Sequence, residues 1–197
     1  DILDVHTATA LPGAHNWQNA AAAYAAIKPF VKDTKAIARA IAQFPGLPHR
    51  IETVGRIGRV RFVNDSKATN ADATEKALAC FDGGIHWILG GKAKADGIEP
   101  LRRFFPRIAR AYLIGEASEA FARTLDGAVA YERCDTLDVA VRRAAADARG
   151  EGRADPIVLL SPACASFDQF RDYEHRGDVF RDLFKAMKAE ATETVGA

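Results

Sequence analysis

The chain has 197 residues, 48% of them apolar, enough to bury one good core and leave an attached piece. Its 27 Lys and Arg are balanced by 26 Asp and Glu, which leaves no block of positive charge for nucleic acid or an anionic membrane surface. Cys80, Cys134 and Cys164 are odd in number and form no Cys-x-x-Cys pair, so a disulfide framework and a zinc site are both excluded and a reducing cytoplasm is expected.

The opening Asp1-Ile-Leu-Asp-Val5 reads as a strand without the basic and apolar regions of a signal peptide, and the chain is expected to start inside a domain. No apolar run approaches the roughly 20 residues that cross a bilayer. After the turn Leu11-Pro12-Gly13, a helix is predicted from about Asn16 through the alanines up to Tyr24. A second helix follows, capped by Asp33 or Thr34, with Ile37, Ile41 and Phe44 on one face. Two helices make no domain alone, so residues 1–45 are read as the tail of a preceding one.

Phe44-Pro-Gly-Leu-Pro-His-Arg50 stops a helix and favours an extended connector, which puts a domain boundary there and assigns 46–197 to a second domain. Arg50–Val54 and Val60–Val63 are predicted to pair as a hairpin around Gly55–Gly58. Strands are then expected at 85–89, 111–114, 128–130 and 156–160, with helices at 71–80, 98–105, 116–125, 136–149 and from about 173 to 188. This alternation means an α/β domain: a Rossmann-like, mostly parallel sheet with flanking helices.

Ligands of such sheets collect outside the carboxyl ends of the strands. Three loops there stand out. Asn64-Asp-Ser-Lys-Ala-Thr-Asn70 places an acid, a lysine and two hydroxyls before a helix, whose free N–H groups suit an anion beside Lys67 and Thr69. The plainer reading of that loop is an N-cap and a solvated lysine. Gly90-Gly91-Lys92-Ala-Lys94 lets backbone approach a ligand and adds cationic points, although it is neither a phosphate-cradling nor a dinucleotide loop. Ser161-Pro-Ala-Cys-Ala-Ser166-Phe167 exposes N–H groups beside a hydroxyl, suited to a carboxylate. Cys164 reads as a packed thiol with no histidine near it in sequence, and the five histidines show no metal-ligand spacing.

Together with Gly13-Ala-His-Asn16-Trp-Gln-Asn19, Pro48-His49-Arg50-Ile-Glu52 and Arg176-Gly177, these loops resemble the Mur ligase family, within it the branch that adds D-glutamate. Asp-Ser-Lys-Ala-Thr-Asn and Ser-Pro-Ala-Cys-Ala-Ser are the discriminating segments. The resemblance implies a cytoplasmic, monomeric ligase that uses ATP and Mg2+ to join D-glutamate to UDP-N-acetylmuramoyl-L-alanine through an acyl phosphate. It also implies that this chain holds the end of the central ATP-binding domain and the whole amino-acid-binding domain. The phosphate loop and the metal ligands would lie elsewhere, so the segment alone is expected to be inactive.

By the same likeness, Asn16 and Asn19 would lie near the adenine, Arg50 and Lys67 near the phosphates as catalytic cations, Asp65 at the ribose, and His49 at the nucleotide edge. Thr69, Lys94, Ser166, Phe167 and Tyr173 would receive D-glutamate, with Lys92 the alternative to Lys94 because the loop departs from the family pattern. Tyr173 stands where the family often has phenylalanine. Rival readings are another Mur-type ligase, a folylpolyglutamate synthetase, or a non-catalytic nucleotide-binding module.

Overall fold

The structure, a computed structural model, describes Asp4, residues 7–92 and residues 97–195. It divides into two compact units, Asp1–Pro48 and His49–Ala197. Apart from Asp4, the strand expected at the start lies outside the described residues.

The first unit is a helix pair, α1 (Ala14–Ile27) and α2 (Thr34–Ala42). Alanine, the best helix former, carries α1. The Asp33 carboxylate caps α2 by accepting from the Ala36 N–H at 3.0 Å. Only Ile37 and Ala38 of α2 are buried and no residue of α1 is, so the facing surfaces form an open apolar groove lined by Leu11, Ala20, Ile27, Ile37, Ile41 and Phe44.

The second unit is built on a six-stranded sheet of order β1-β2-β6-β3-β4-β5, comprising β1 (Glu52–Ile57), β2 (Val60–Asn64), β3 (Ile85–Gly90), β4 (Ile108–Ile114), β5 (Tyr131–Asp135) and β6 (Ile157–Leu160). β1 runs antiparallel to β2, and the other neighbours are parallel. Side chains alternate across the sheet. On one face Trp87, Leu89, Leu113 and Leu159 pack against α3 (Ala71–Ala79), a 3-10 helix (Glu99–Arg107) and α4 (Ser118–Leu125). On the other, Phe62, Ile88, Tyr112 and Leu160 meet α5 (Leu137–Gly150) and α6 (Tyr173–Val195). With both faces covered, every residue of β3 and β6 is buried.

Three expectations shift. The hairpin turns at Gly58-Arg59, the far end of the expected Gly55–Gly58 span, because Gly55 sits in a bulge against α6, where a Cβ would come 2.5 Å from the Phe184 ring. The helix expected over 98–105 is 3-10, with Pro100 at its start and Pro106 inside it. The strand expected at 128–130 forms instead at Tyr131–Asp135, an edge strand of mostly polar residues.

The chain runs β2–α3–β3 past the place of β6, moves outward through β4 and β5, and returns along α5 to fill the gap with β6. The strand order therefore reverses at β2, β6 and β3, and their carboxyl ends frame the crevice where open α/β sheets take ligands.

Candidate functional site

The loops leaving β2, β3 and β6 are the three singled out in the sequence, and they are tied to one another. In the β2 loop, the buried Asn64 amide donates to Gly177 O at 3.1 Å and lies 3.1 Å from His49 Nδ1, while its Oδ1 accepts from the Ser66 N–H. Ser66 Oγ donates to Tyr173 O at 2.8 Å, at the start of α6. Asn70 caps α3, accepting from the Ala73 N–H at 2.9 Å. These inward anchors leave Lys67 exposed, its ammonium 5.4 Å from the centre of the Tyr173 ring, and Thr69 half-buried at the helix amino end.

In the β3 loop, Gly90 N–H donates to Pro162 O and Gly91 N–H to Ile114 O. Lys92 and Ala165 exchange backbone hydrogen bonds of 2.9 and 3.2 Å, which lays this loop along the β6 loop next to Ser166. The glycines are required by close approach: a Cβ would lie 2.0 Å from Ile114 O at Gly90 and 2.4 Å from Ala165 O at Gly91. Lys92 is exposed; Lys94 lies outside the described residues.

In the β6 loop, the Ser161 carbonyl accepts from Trp87 Nε1 at 2.8 Å. Ser166 is buried, and its carbonyl accepts from the Phe170 N–H at 2.8 Å, closing a turn that leaves Phe167 70% exposed. Cys164 is fully buried, as its sequence surroundings suggested.

Two residues expected at a nucleotide are turned inward. Asp65 is 4% exposed, with Oδ1 accepting from the Ile51 N–H (3.1 Å) and Oδ2 from Ser161 Oγ (2.7 Å), so its carboxylate ties the approach to β1 onto the end of β6. Burial pushes its carboxyl up to about 7 against the opposing pull of those hydrogen bonds and the Arg50 charge. His49 is 5% exposed and packs under Gly177, and burial, then the neighbouring Arg181 charge, lowers its pKa, leaving a neutral imidazole at pH 7. His49 and Ile51 both adopt left-handed backbone, φ 61° and 45°, which is an outlier for a β-branched residue. Glu52 holds this turn, accepting from the His49 N–H at 2.9 Å and from Arg181 through both its oxygens. The strained turn leaves Arg50 exposed between two buried neighbours.

The motif residues that carried no expected role include the best-anchored one. Arg176 is fully buried; its Nε donates to Ser66 Oγ (3.0 Å) and one Nη2 to Ser66 O (2.9 Å) and Cys164 O (3.1 Å). Desolvation lowers its pKa to about 10. Asp168 Oδ2 accepts from the Glu116 N–H at 3.1 Å, joining the β6 loop to the segment before α4. For Asp168 the available signal was an acid just after the small residues 161–166; Arg176, among the charged residues 171–178, carried none.

The structure thus brings Lys67, Thr69, Lys92, Ser166 and Tyr173 to one end of the sheet. Asn16 and Asn19 lie in the first unit, both lining its apolar groove, with Asn16 Nδ2 donating to Pro12 O at 2.8 Å. Among the described residues no three His, Cys, Asp or Glu side chains are placed to hold a metal ion, and no helix is long and apolar enough to cross a membrane.

Known proteins resemble this chain in sequence and fold. A protein from Paramagnetospirillum magneticum named UDP-N-acetylmuramoylalanine–D-glutamate ligase is 55% identical over 186 residues, which cover 94% of this chain and 40% of the relative. One of the same name from Nitrobacter hamburgensis is 57% identical over 187 residues, again 40% of its length. The chain therefore spans about 40% of the curated relatives it matches. The crystal structure of the UDP-N-acetylmuramate-alanine ligase MurC from Thermotoga maritima shares the fold, with a TM-score of 0.63 at 15% identity over 90% of this chain and 39% of that one. The family model described as "Mur ligase, glutamate ligase domain" matches residues 49–164, and the chain belongs to the Mur ligase family.

Proposed function

We propose that this chain is the amino-acid-receiving part of a cytoplasmic, monomeric ligase that joins D-glutamate to UDP-N-acetylmuramoyl-L-alanine at the expense of ATP. The observation that carries the reading is the tying together of three loops at the reversal point of the sheet, with exposed lysines and a buried serine beside a helix amino end. The names of relatives more than half identical to the chain support the choice of amino acid.

In such a reaction the alanine carboxylate attacks the γ-phosphate of ATP, ADP leaves, and the amine of D-glutamate displaces phosphate from the acyl phosphate to form the amide. The protein's work is positioning and charge stabilisation. Lys67 and Arg50, both exposed, are the cations proposed for the phosphates, and Asn16 and Asn19 the amides for the base. Thr69, Ser166, Phe167, Tyr173 and a lysine of the Gly-Gly loop, Lys94 or Lys92, are proposed to receive the two carboxylates of D-glutamate. Asp65, expected at the ribose but turned inward, enters as the residue that fixes the turn presenting Arg50. Mg2+ would neutralise phosphate charge, and its ligands are expected in the part of the relatives that this chain does not span.

The test joins the upstream part of the Paramagnetospirillum magneticum relative to this chain and follows ADP release. The fusion should require both UDP-N-acetylmuramoyl-L-alanine and D-glutamate, and the chain alone should show no turnover. Preference for L-alanine, L-glutamate or a diamino acid would overturn the assignment.

A further inference from the structure

Arg176 sits in the first turns of α6, fully buried, and its hydrogen bonds go to neutral oxygens, with the Asp168 charge acting on it from beyond ion-pair distance. Its donors go to the Ser66 hydroxyl and carbonyl in the β2 loop and to the Cys164 carbonyl in the β6 loop. Its Nη1 is buried without a partner and faces the β3 loop, where a Cβ on Gly91 would stand 3.3 Å from it. One side chain therefore bonds two of the loops of the candidate site and faces the third.

An unpaired guanidinium is an expensive way to fill space. An apolar side chain of similar volume at such a position is commonly neutral or stabilising, because burying a charge costs more than its hydrogen bonds return. What the planar fork adds is direction: it fixes two carbonyls and a hydroxyl at set angles, which neither a methionine nor a lysine can do. The residues so fixed are neighbours of the proposed ligand contacts. Ser66 precedes Lys67 and also bonds the backbone of Tyr173, and Cys164 is two residues from Ser166.

We propose that Arg176 is a positioning residue, which holds the Ser66, Gly91 and Cys164 loops at the spacing where Lys67, Thr69 and Ser166 together receive the dicarboxylic amino acid. This rests on the function proposed above for the same site.

The test replaces Arg176 by methionine, lysine and alanine in the fusion enzyme and in this chain. In the fusion, Arg176→Met should raise KM for D-glutamate at least about tenfold while KM for ATP changes less than about twofold, with Arg176→Lys intermediate. Added methylguanidinium should restore part of the D-glutamate affinity to Arg176→Ala and none to Arg176→Met, a rescue that loss of packing alone would not show. In this chain, amide hydrogen exchange at residues 66–69 and 165–166 should accelerate at least about tenfold in Arg176→Met while the strands keep their protection. Unchanged KM for D-glutamate, or exchange that rises uniformly over the sheet, would overturn the proposal. If the fusion with Arg176 intact makes no product, the function assigned above fails, and the exchange pattern alone decides whether Arg176 orders the loops. If Arg176→Met does not fold, Arg176→Lys carries both measurements, and its matching the parent in both would overturn the role.

Discussion

Replacing Asp65 by asparagine should remove a pH dependence that runs against ordinary acid denaturation. Most carboxylates of a folded protein are held below their usual range and lose stabilising power as acid protonates them. Asp65 is the reverse case, since burial raises its carboxyl to about 7, whereas in the unfolded chain it titrates near about 4. Between those values the folded state keeps a proton that the unfolded state releases, so stability falls as pH rises from 4 to 7 and levels off above. At about 1.4 kcal/mol per pH unit the full span is about 4 kcal/mol. Asparagine copies the protonated form: its Oδ1 can accept from the Ile51 N–H, its amide can donate to Ser161 Oγ, and that hydroxyl can turn to Thr74 Oγ1, 3.1 Å away. Urea unfolding of parent and variant across pH 4.5 to 7.5 reads the effect as a difference, in which the opposite contribution of His49, lost as pH falls through 6.5, cancels. The variant should exceed the parent by about 1 kcal/mol at pH 4.5 and by about 4 kcal/mol at pH 7.5. A difference that stays constant with pH, or a variant less stable at pH 7.5, would refute the reasoning.

Gly177→Ala lies inside α6, where alanine would ordinarily add about 1 kcal/mol, but its Cβ would meet the buried His49 ring at 2.1 Å; a net loss of about 2–3 kcal/mol in urea melts is expected. Tyr112→Phe removes the hydroxyl that donates to Asp147 (2.8 Å) and lies 2.9 Å from the buried His86 Nδ1, so thermal unfolding should show a loss of about 1–3 kcal/mol. Arg142→Ala breaks a solvent-exposed pair with Glu190 and should move Tm by less than about 2 °C in calorimetry. Lys67→Ala in the fusion enzyme should lower kcat/KM at least about tenfold without changing Tm, because the exposed ammonium lies against the Tyr173 face at the surface.

The parallel sheet was legible because β3 and β6 are short apolar runs with both faces covered, and such strands announce themselves in any register. β5 was displaced because Tyr131-Glu-Arg-Cys-Asp135 lies at the sheet edge, where charged residues are tolerated and the apolar signal moves to the turn before it. Gly55 looked like a hairpin turn but serves the approach of Phe184, a contact from 129 residues further along that no local pattern reveals. In the candidate site, strand-end position drew attention to the right loops. The inward turn of Asp65 and His49 was hidden because both depend on partners distant in sequence, Ser161 for one and Gly177 for the other. Arg176 was hidden for the same reason, since its value lies wholly in whom it meets.

The last strand in sequence occupies the middle of the sheet. A ribosome releases β1–β2 and then β3–β4–β5, linked through α3 but each with an open inner edge, and no strand pairs them until residues 157–160 emerge. At 5–20 residues per second the gap between β2 and β6 lasts about 5–20 seconds. During that interval each piece offers a ready template to other nascent chains. Premature termination anywhere before residue 157 would leave that exposure permanent, which makes this protein an all-or-nothing product of translation.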